Sequence, residues 1–312
     1  MKNLSKQSFD EIRTWIYRNA RPLDLALWQY YFEEGSREAV LSILSLYQNE
    51  DGGFGNALEP DSWNPNSSPY TTHRAIGILK DINFADKNHP LIQGIFKFIE
   101  SGIHQSDMGW LFSIPSNNHY PHAPWWTYDP EANEYESIGV SAGIAIFILQ
   151  FGDKESQLYK RALSIVVKLI DKLYVLGEFG EMGLGGYCEL LERIPQLGLS
   201  SGFDMDFLLG RVRRLVQDSI EKDISKWIYH VKRPSDFITS PNSIFYGDNE
   251  ELMQKELDYI IESRPENGVW GIDWSWFENN TIYPKEFAIS ENWWKADTAI
   301  GKLKLLRIFN RM

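Results

Sequence analysis

Segments with the spacing of amphipathic or buried helices follow one another through almost the whole chain, and no stretch shows the alternating pattern of a β-strand. About twelve such segments are joined by connections shorter than a helix, so neighbouring helices should pair as antiparallel hairpins. No low-complexity linker divides the 312 residues. The sequence therefore predicts an all-α protein and one domain over residues 1–312.

Caps and prolines mark several of the predicted helix boundaries. Ser8 and Glu11 have the spacing of a capping box. Pro22, Pro69 and Pro90 suit the first turns of helices. The apolar helix at 136–150 should be buried. The predicted helices cover residues 8–19, 22–31, 37–48, 69–82, 90–101, 136–150, 154–174, 187–194, 204–218, 223–230, 249–263 and 292–309.

Four short stretches combine glycine with an aromatic residue after a predicted helix. Glycine supplies the positive φ of a chain reversal, and the aromatic ring can cover the exposed helix end. Side chains such as Asp51 and Asn267 can accept hydrogen bonds from amides of the turn. The unequal spacing of the copies indicates a divergent internal repeat. The four stretches are 48–55 (QNEDGGFG), 106–110 (SDMGW), 183–187 (GLGGY) and 264–271 (RPENGVWG).

The first and last of these stretches resemble the repeated glycine-aromatic element of the terpenoid cyclase and protein prenyltransferase superfamily. The region 41–75 also resembles bacterial proteins described as prenyltransferase-like. This resemblance implies an α/α toroid (barrel) of about six helical hairpins around a central aromatic cavity. It also implies an apolar, isoprenoid-type ligand in that cavity.

The catalytic motifs of that superfamily are incomplete in this chain. The acid motif Asp-x-Asp-Asp has its nearest counterpart at Asp204 and Asp206, which lack the final aspartate. Adjacent carboxylates could still raise one pKa and form an acid, or they could simply favour a helix N-terminus. The diphosphate-binding motif Asp-Asp-x-x-Asp does not occur. Whether the protein is an enzyme is therefore left open, and we expect no cofactor or metal.

A second candidate for acid or base chemistry precedes the helix predicted to begin at Ser68-Pro69. Glu59 and Asp61 flank a rigid proline, and His73 follows in the helix. Glu59, Asp61, Asp204, Asp206 and Asp273 are thus the candidate catalytic residues, with His73 as a ligand-binding residue.

Tryptophan, tyrosine and phenylalanine make up 14% of the chain, and many of them lie in predicted connections. Such clusters are typical of a cavity wall or a binding platform. Indoles that frame carboxylates suit either a sugar subsite or a carbocation pocket. The candidate ligand-binding residues in these clusters are Trp125, Trp126, Tyr128, Asp129, Trp270, Trp274, Trp276, Trp293 and Trp294.

Charge and composition narrow the choice of partner. The chain has 31 basic and 43 acidic residues and a net charge of −12, which disfavours nucleic acid and anionic membranes. Its longest apolar stretch is too short to span a bilayer, and no secretory signal is visible. We therefore expect a cytoplasmic protein without an integral membrane segment, and the oligomeric state stays open.

Three functions follow from the sequence. The first is an isoprenoid-type ligand bound in the aromatic cavity, with or without catalysis. The second is a carbohydrate-active enzyme, either a glycoside hydrolase or a lyase, on an α/α toroid. The third is a non-catalytic binding toroid. In each case the partner is a small molecule, either apolar or a sugar.

Overall fold

A computed structural model describes residues 1–175, 177 and 179–312, without the side chain of Glu181. The chain is 61% helical and 3% strand, which confirms the all-α class. Contacts group the residues into two compact units, one formed by Met1–Leu44 with Val216–Met312 and the other by Ser45–Leu215. The single domain and the toroidal arrangement of the hairpins stay predictions.

Twelve α-helices and one two-stranded antiparallel hairpin make up the regular structure of the described residues, together with short 3-10 turns. The helices are α1 (Lys6–Asn19), α2 (Pro22–Phe32), α3 (Arg37–Leu44), α4 (Pro69–Asp81), α5 (Pro90–Glu100), α6 (Asn133–Phe151), α7 (Gln157–Val175), α8 (Gly180–Arg193), α9 (Met205–Ser219), α10 (Glu250–Glu262), α11 (Asn279–Ile282) and α12 (Pro284–Ile308), and the strands are β1 (Gln105–Ser106) and β2 (Gly109–Trp110).

The first unit, residues 1–44 and 216–312, is built on α1, α2 and α12. Trp28 of α2 is fully buried and stacks on Phe9 of α1, with 5.3 Å between ring centroids. The two chain ends meet in this unit, where the Leu4 amide donates to the Arg311 carbonyl at 2.8 Å. Burial of aromatic area and this pairing of the termini hold the unit together.

The second unit, residues 45–215, surrounds α6. As predicted for an apolar segment without a polar face, α6 is buried from Ser137 to Leu149. It packs against α4, α7, α8 and β2. Among the described residues, no helix of either unit is long and apolar enough to cross a membrane.

Two of the four glycine-aromatic stretches form the helix-ending turns that the sequence predicts. In the first, Gly52 has a φ of 93°, and the Gly53 amide donates to Asp51 Oδ1 at 2.9 Å. In the last, Asn267 has a φ of 56°, and Trp270 Nε1 donates to the Ile260 carbonyl at 2.9 Å. The indole therefore covers a free carbonyl at the end of α10.

The stretch 106–110 is a tight β-hairpin, in which Gln105 pairs with Trp110 and Gly109 has a φ of 137°. The turn predicted at 183–187 is wrong, because these residues lie inside α8. Gly183 and Gly186 allow close helix packing instead, whereas a Cβ on Gly185 would meet no atom within 4 Å. A Cβ on Gly186 would lie 2.8 Å from the Gly139 Cα of α6.

Several further boundaries differ from the prediction. Ser5, not Ser8, is the N-cap of α1, and α3 ends at Leu44 rather than at residue 48. The segment 223–230 contains only a 3-10 turn, Ile224–Lys226, because the Asp223 side chain accepts from the Ser225 amide and closes the chain locally. Helix α12 begins at Pro284 rather than at residue 292. Proline at the first helical position explains this earlier start.

Candidate functional site

The carboxylates of Glu59 and Asp61 lie inside the second unit, each only 1% exposed. Glu59 Oε2 accepts a hydrogen bond from Arg74 Nη1 at 3.1 Å. Asp61 Oδ1 accepts one from Trp126 Nε1 at 2.8 Å. Both side chains therefore fix the loop before α4 to the structure around it, and a catalytic role for either stays a prediction.

The predicted aromatic group at 125–129 divides between core and surface. Trp126 is buried and stacks on Phe112, with 4.7 Å between centroids and 21° between planes. Trp125 is exposed and Tyr128 is half-buried. Asp129 Oδ1 accepts from the Glu131 amide at 2.8 Å, just before α6. Since Phe112 covers Trp126, this indole is not an open platform for a sugar ring.

The two aspartates at the start of α9 are exposed. Asp204 Oδ1 accepts from the Phe207 amide at 3.1 Å, as an N-cap does. Asp206 lies in the first turn of α9, where a negative charge is favourable. Of the two interpretations left open above, this geometry favours the helix N-terminus.

The remaining predicted residues belong to the first unit. Trp270 and Trp276 are buried, whereas Trp274, Trp293 and Trp294 are half-buried. The rings of Trp274 and Trp294 meet edge to face at 5.3 Å. Asp273 accepts hydrogen bonds from Arg233 Nη2 at 2.8 Å and His230 Nδ1 at 3.1 Å. Arg233 and His230, the two partners of Asp273, were not identified from the sequence.

The second unit contains a pocket of about 520 Å³ that includes the predicted residue His73. This volume lies in the range of about 300–1,000 Å³ that is typical of small-molecule sites. Its walls come from α4, α5, α6 and α8 and from the loop that follows α4. The lining residues are His73, Ile76, Gly77, Leu79, Lys80, Asn83, Phe84, Ala85, Ile92, Gly143, Ile146, Phe147, Gln150, Phe151, Glu189 and Arg193.

Apolar side chains form most of this wall. Phe147 and Phe151 of α6 lie side by side, with 5.2 Å between ring centroids. Ile92 of α5 and Ile76 of α4 are buried beside the pocket. Such a surface suits a hydrocarbon body, because each buried CH₂ group of a ligand contributes about 0.8 kcal/mol.

The polar side of the pocket is formed by four ionisable residues from α4 and α8. Lys80 Nζ lies 2.5 Å from Glu189 Oε1, and Arg193 follows Glu189 by one helical turn. Burial opposes ionisation of Glu189, but the charge and the hydrogen bond of Lys80, followed by the charge of Arg193, outweigh it and lower the Glu189 pKa. Glu189 is therefore an anion at neutral pH.

His73 is kept neutral by its surroundings. Burial lowers its pKa, and the positive charge of Lys80 acts in the same direction, against the opposing pull of Glu189. The α6 backbone passes close to the imidazole, since a Cβ on Gly143 would lie 2.0 Å from His73 Nε2. A neutral imidazole can both donate and accept a hydrogen bond. The pocket can therefore hold an apolar body with one uncharged polar end at His73.

Lys80, Glu189 and Arg193 were missed by the sequence analysis. Lys80 lies seven residues after His73, so both lie on one face of α4. That spacing could have identified Lys80. Glu189 and Arg193 could not be paired with His73 from spacing, because a tertiary contact brings α8 to this place.

The neutral state of His73 can be tested by measuring the stability of the protein at different pH values. A lowered folded-state pKa means that the unfolded chain binds more protons below its own pKa of 6.5. The contribution of His73 to stability should therefore fall as the pH drops from about 7.5 to about 5.5, so that His73→Gln should gain about 1 kcal/mol relative to the wild type over this interval. Urea denaturation of both proteins at each pH measures the difference.

The interval between about pH 7.5 and about pH 5.5 separates the contribution of His73 to stability from that of Glu189. The lowered pKa of Glu189 affects stability only near and below the ordinary glutamate value of 4.5. Other groups that titrate in this interval contribute equally to the wild type and to His73→Gln, including Glu256, whose pKa burial raises to about 7 and whose effect has the opposite sign. An identical change of stability in the two proteins would mean that His73 is not held neutral.

We compared the chain with models of protein families, with curated proteins and with solved structures, and it matches none of them. The function of the protein must therefore be inferred from its own residues.

Proposed function

We propose that this protein binds an apolar, isoprenoid-type small molecule in the pocket beside His73. The observation that carries the proposal is an apolar pocket of about 520 Å³ with its polar groups on α4 and α8. We also propose that the chain is related to the terpenoid cyclase and prenyltransferase superfamily. As part of the same proposal, its helical hairpins form an α/α toroid and the protein is cytoplasmic. The glycine-aromatic turns at 48–55 and 264–271 support this kinship.

The chemistry of the pocket favours binding of a long, weakly polar molecule. Phe84, Phe147 and Phe151 offer aromatic surface to a branched hydrocarbon. A hydroxyl at the end of such a molecule can pair with neutral His73 or with the Glu189 carboxylate. Farnesol combines these features and carries no charge, so it is the probe of choice.

Replacing Gly77 with a larger residue should fill part of the pocket without straining the fold. This glycine lies in α4 and lines the pocket, and an added Cβ would meet no atom within 4 Å. We expect Gly77→Leu to weaken farnesol binding about tenfold or more, since a leucine takes the space of several ligand CH₂ groups. Isothermal titration calorimetry with farnesol measures the change.

Gly210→Leu is the matched control. Gly210 is an exposed glycine inside α9, also with open space around a Cβ, and it does not line the pocket. This variant should bind farnesol like the wild type. The proposal fails if the wild type shows no saturable binding, or if Gly77→Leu and Gly210→Leu bind equally well.

A further inference from the structure

The polar side of the pocket beside His73 holds more positive than negative charge. Its ionisable residues are His73, Lys80, Glu189 and Arg193, which all line the pocket. Burial lowers the pKa of His73, so this imidazole is neutral at pH 7. Lys80 and Arg193 are cations, and Glu189 is the single anion that the described residues contribute to the wall. One positive charge of the pocket is therefore not compensated.

Arg193 is the cation of the pocket without a carboxylate partner. Lys80 Nζ donates to Glu189 Oε1 at 2.5 Å, so these two side chains form an ion pair. Arg193 Nη1 donates to Gln196 Oε1 at 2.8 Å, which is a neutral amide oxygen, and the guanidinium forms no ion pair with a described carboxylate. A guanidinium has five N–H donors. Arg193 therefore has donors left for a ligand in the pocket that it lines.

The pocket extends from an apolar interior to solvent, and its charged groups lie at the solvent end. On α6, Phe147 is buried, whereas Gln150, three residues later on the same side of the helix, is exposed. On α4, Ile76 is buried, whereas Lys80, one turn later, is exposed. All four of these residues line the pocket. A molecule that follows this gradient has an apolar body and one charged or strongly polar end.

We propose that the ligand of this pocket is a monocarboxylate with a hydrocarbon body, and that Arg193 binds its carboxylate. The inference rests on the proposed function, from which it takes the hydrocarbon body, and it adds the charge of the polar end. Two N–H groups of a guanidinium match the two oxygens of a carboxylate, and these hydrogen bonds are charge-assisted. One negative charge equals the uncompensated positive charge, whereas a dianion would leave a negative charge without a partner.

Farnesoate and its methyl ester test the charge of the ligand in the full chain. They share the hydrocarbon body, and only farnesoate is ionised at pH 7. Below the micelle concentration, calorimetry should show farnesoate binding to the wild type at least about tenfold more tightly than the methyl ester, because a charge-assisted hydrogen bond is gained. We define the ratio of the two dissociation constants as the carboxylate preference. Farnesyl phosphate, a dianion, should bind less tightly than farnesoate.

Two variants should move the carboxylate preference in opposite directions. Arg193→Met removes the positive charge and keeps an aliphatic stem, so the preference should fall to about threefold or less. Glu189→Gln removes the negative charge of the wall and keeps the shape of the side chain, so the preference should rise about threefold or more. A purely structural role of Arg193 would weaken both ligands equally and leave the preference unchanged.

Arg214→Met is the control for the net charge of the protein. Arg214 belongs to the same unit, is exposed on α9 and does not line the pocket. The carboxylate preference of this variant should equal that of the wild type. The inference is overturned if the wild type has no carboxylate preference, if Arg193→Met keeps it, if Glu189→Gln lowers it, or if farnesyl phosphate binds more tightly than farnesoate.

These outcomes can be distinguished from failure of the proposed function. Saturable binding of farnesol and of the methyl ester, without tighter binding of farnesoate, would contradict only the inference about charge. If farnesol, the methyl ester and farnesoate all fail to bind, the proposed function and this inference are both wrong.

Discussion

Replacing Gly52 with alanine should lower the free energy of unfolding by about 3 kcal/mol. Gly52 has a φ of 93°, a conformation that L-residues with a side chain rarely adopt. A Cβ at this position would also lie 2.1 Å from the Gly94 carbonyl oxygen. That oxygen belongs to the backbone of α5, so the clash can be relieved only by moving a helix.

The turn around Gly52 is tied to α5 by a side chain of the same motif. Gln48 Nε2 donates to the Gly52 carbonyl at 2.8 Å and to the Leu91 carbonyl at 3.0 Å. Gly94 is needed for this contact, since a Cβ on it would lie 2.4 Å from Gln48 Nε2. Displacement of the turn by an alanine would therefore break hydrogen bonds as well as strain the backbone.

Urea denaturation followed by circular dichroism measures this loss, with Gly210→Ala as the control. Gly210 is exposed inside α9, and a Cβ there meets no atom within 4 Å. Alanine at this helical position should stabilise the protein by about 0.5–1 kcal/mol. A loss below about 1 kcal/mol in Gly52→Ala would show that the turn adapts, and that positive φ is not what the motif requires.

The helix starts that were predicted correctly are those fixed by local chemistry. Pro69 and Pro90 open α4 and α5 as predicted, because proline fits only the first turn of a helix. Pro284 carries the same signal and opens α12, but the prediction began this helix at residue 292. The start of α12 is therefore encoded locally by Pro284, like those of α4 and α5.

Other features depend on tertiary contacts that local patterns do not encode. Gly183 and Gly186 look like turn residues, yet they lie in α8, where small residues allow close packing on α6. A helix predicted from residue 187 misses its first two turns for this reason. A glycine in a turn and a glycine at a close helix contact look the same in a sequence. Only the presence of a partner helix distinguishes the two.

The candidate site also combines a residue that the sequence could identify with residues that only tertiary contacts bring together. His73 was identified from its place after Glu59 and Asp61, but these carboxylates are bound to Arg74 and Trp126. Its partner in the pocket is Glu189, which lies more than a hundred residues away in the chain. A long-range pair of this kind gives no spacing signal, so a single sequence can name one member but not the other.

Asp24→Asn should destabilise the protein by about 3–5 kcal/mol, because it leaves a buried guanidinium without its counter-charge. Asp24 and Arg21 are a buried ion pair in the first unit, with side chains 1% and 3% exposed. Arg21 Nε donates to Asp24 Oδ1 at 3.1 Å and Oδ2 at 3.0 Å. The guanidinium also lies 5.3 Å from the centroid of the Trp293 ring.

The size of this effect comes from the uncompensated charge more than from the strength of the pair. A double variant, Arg21→Met with Asp24→Leu, removes both charges and should recover most of the stability that Asp24→Asn loses. Asp10→Asn, at an exposed position of α1, should change stability by less than about 0.5 kcal/mol. All three variants are compared with the wild type by urea denaturation. If the double variant is no more stable than Asp24→Asn, the pair itself stabilises the fold, and the predicted dominance of the uncompensated charge is wrong.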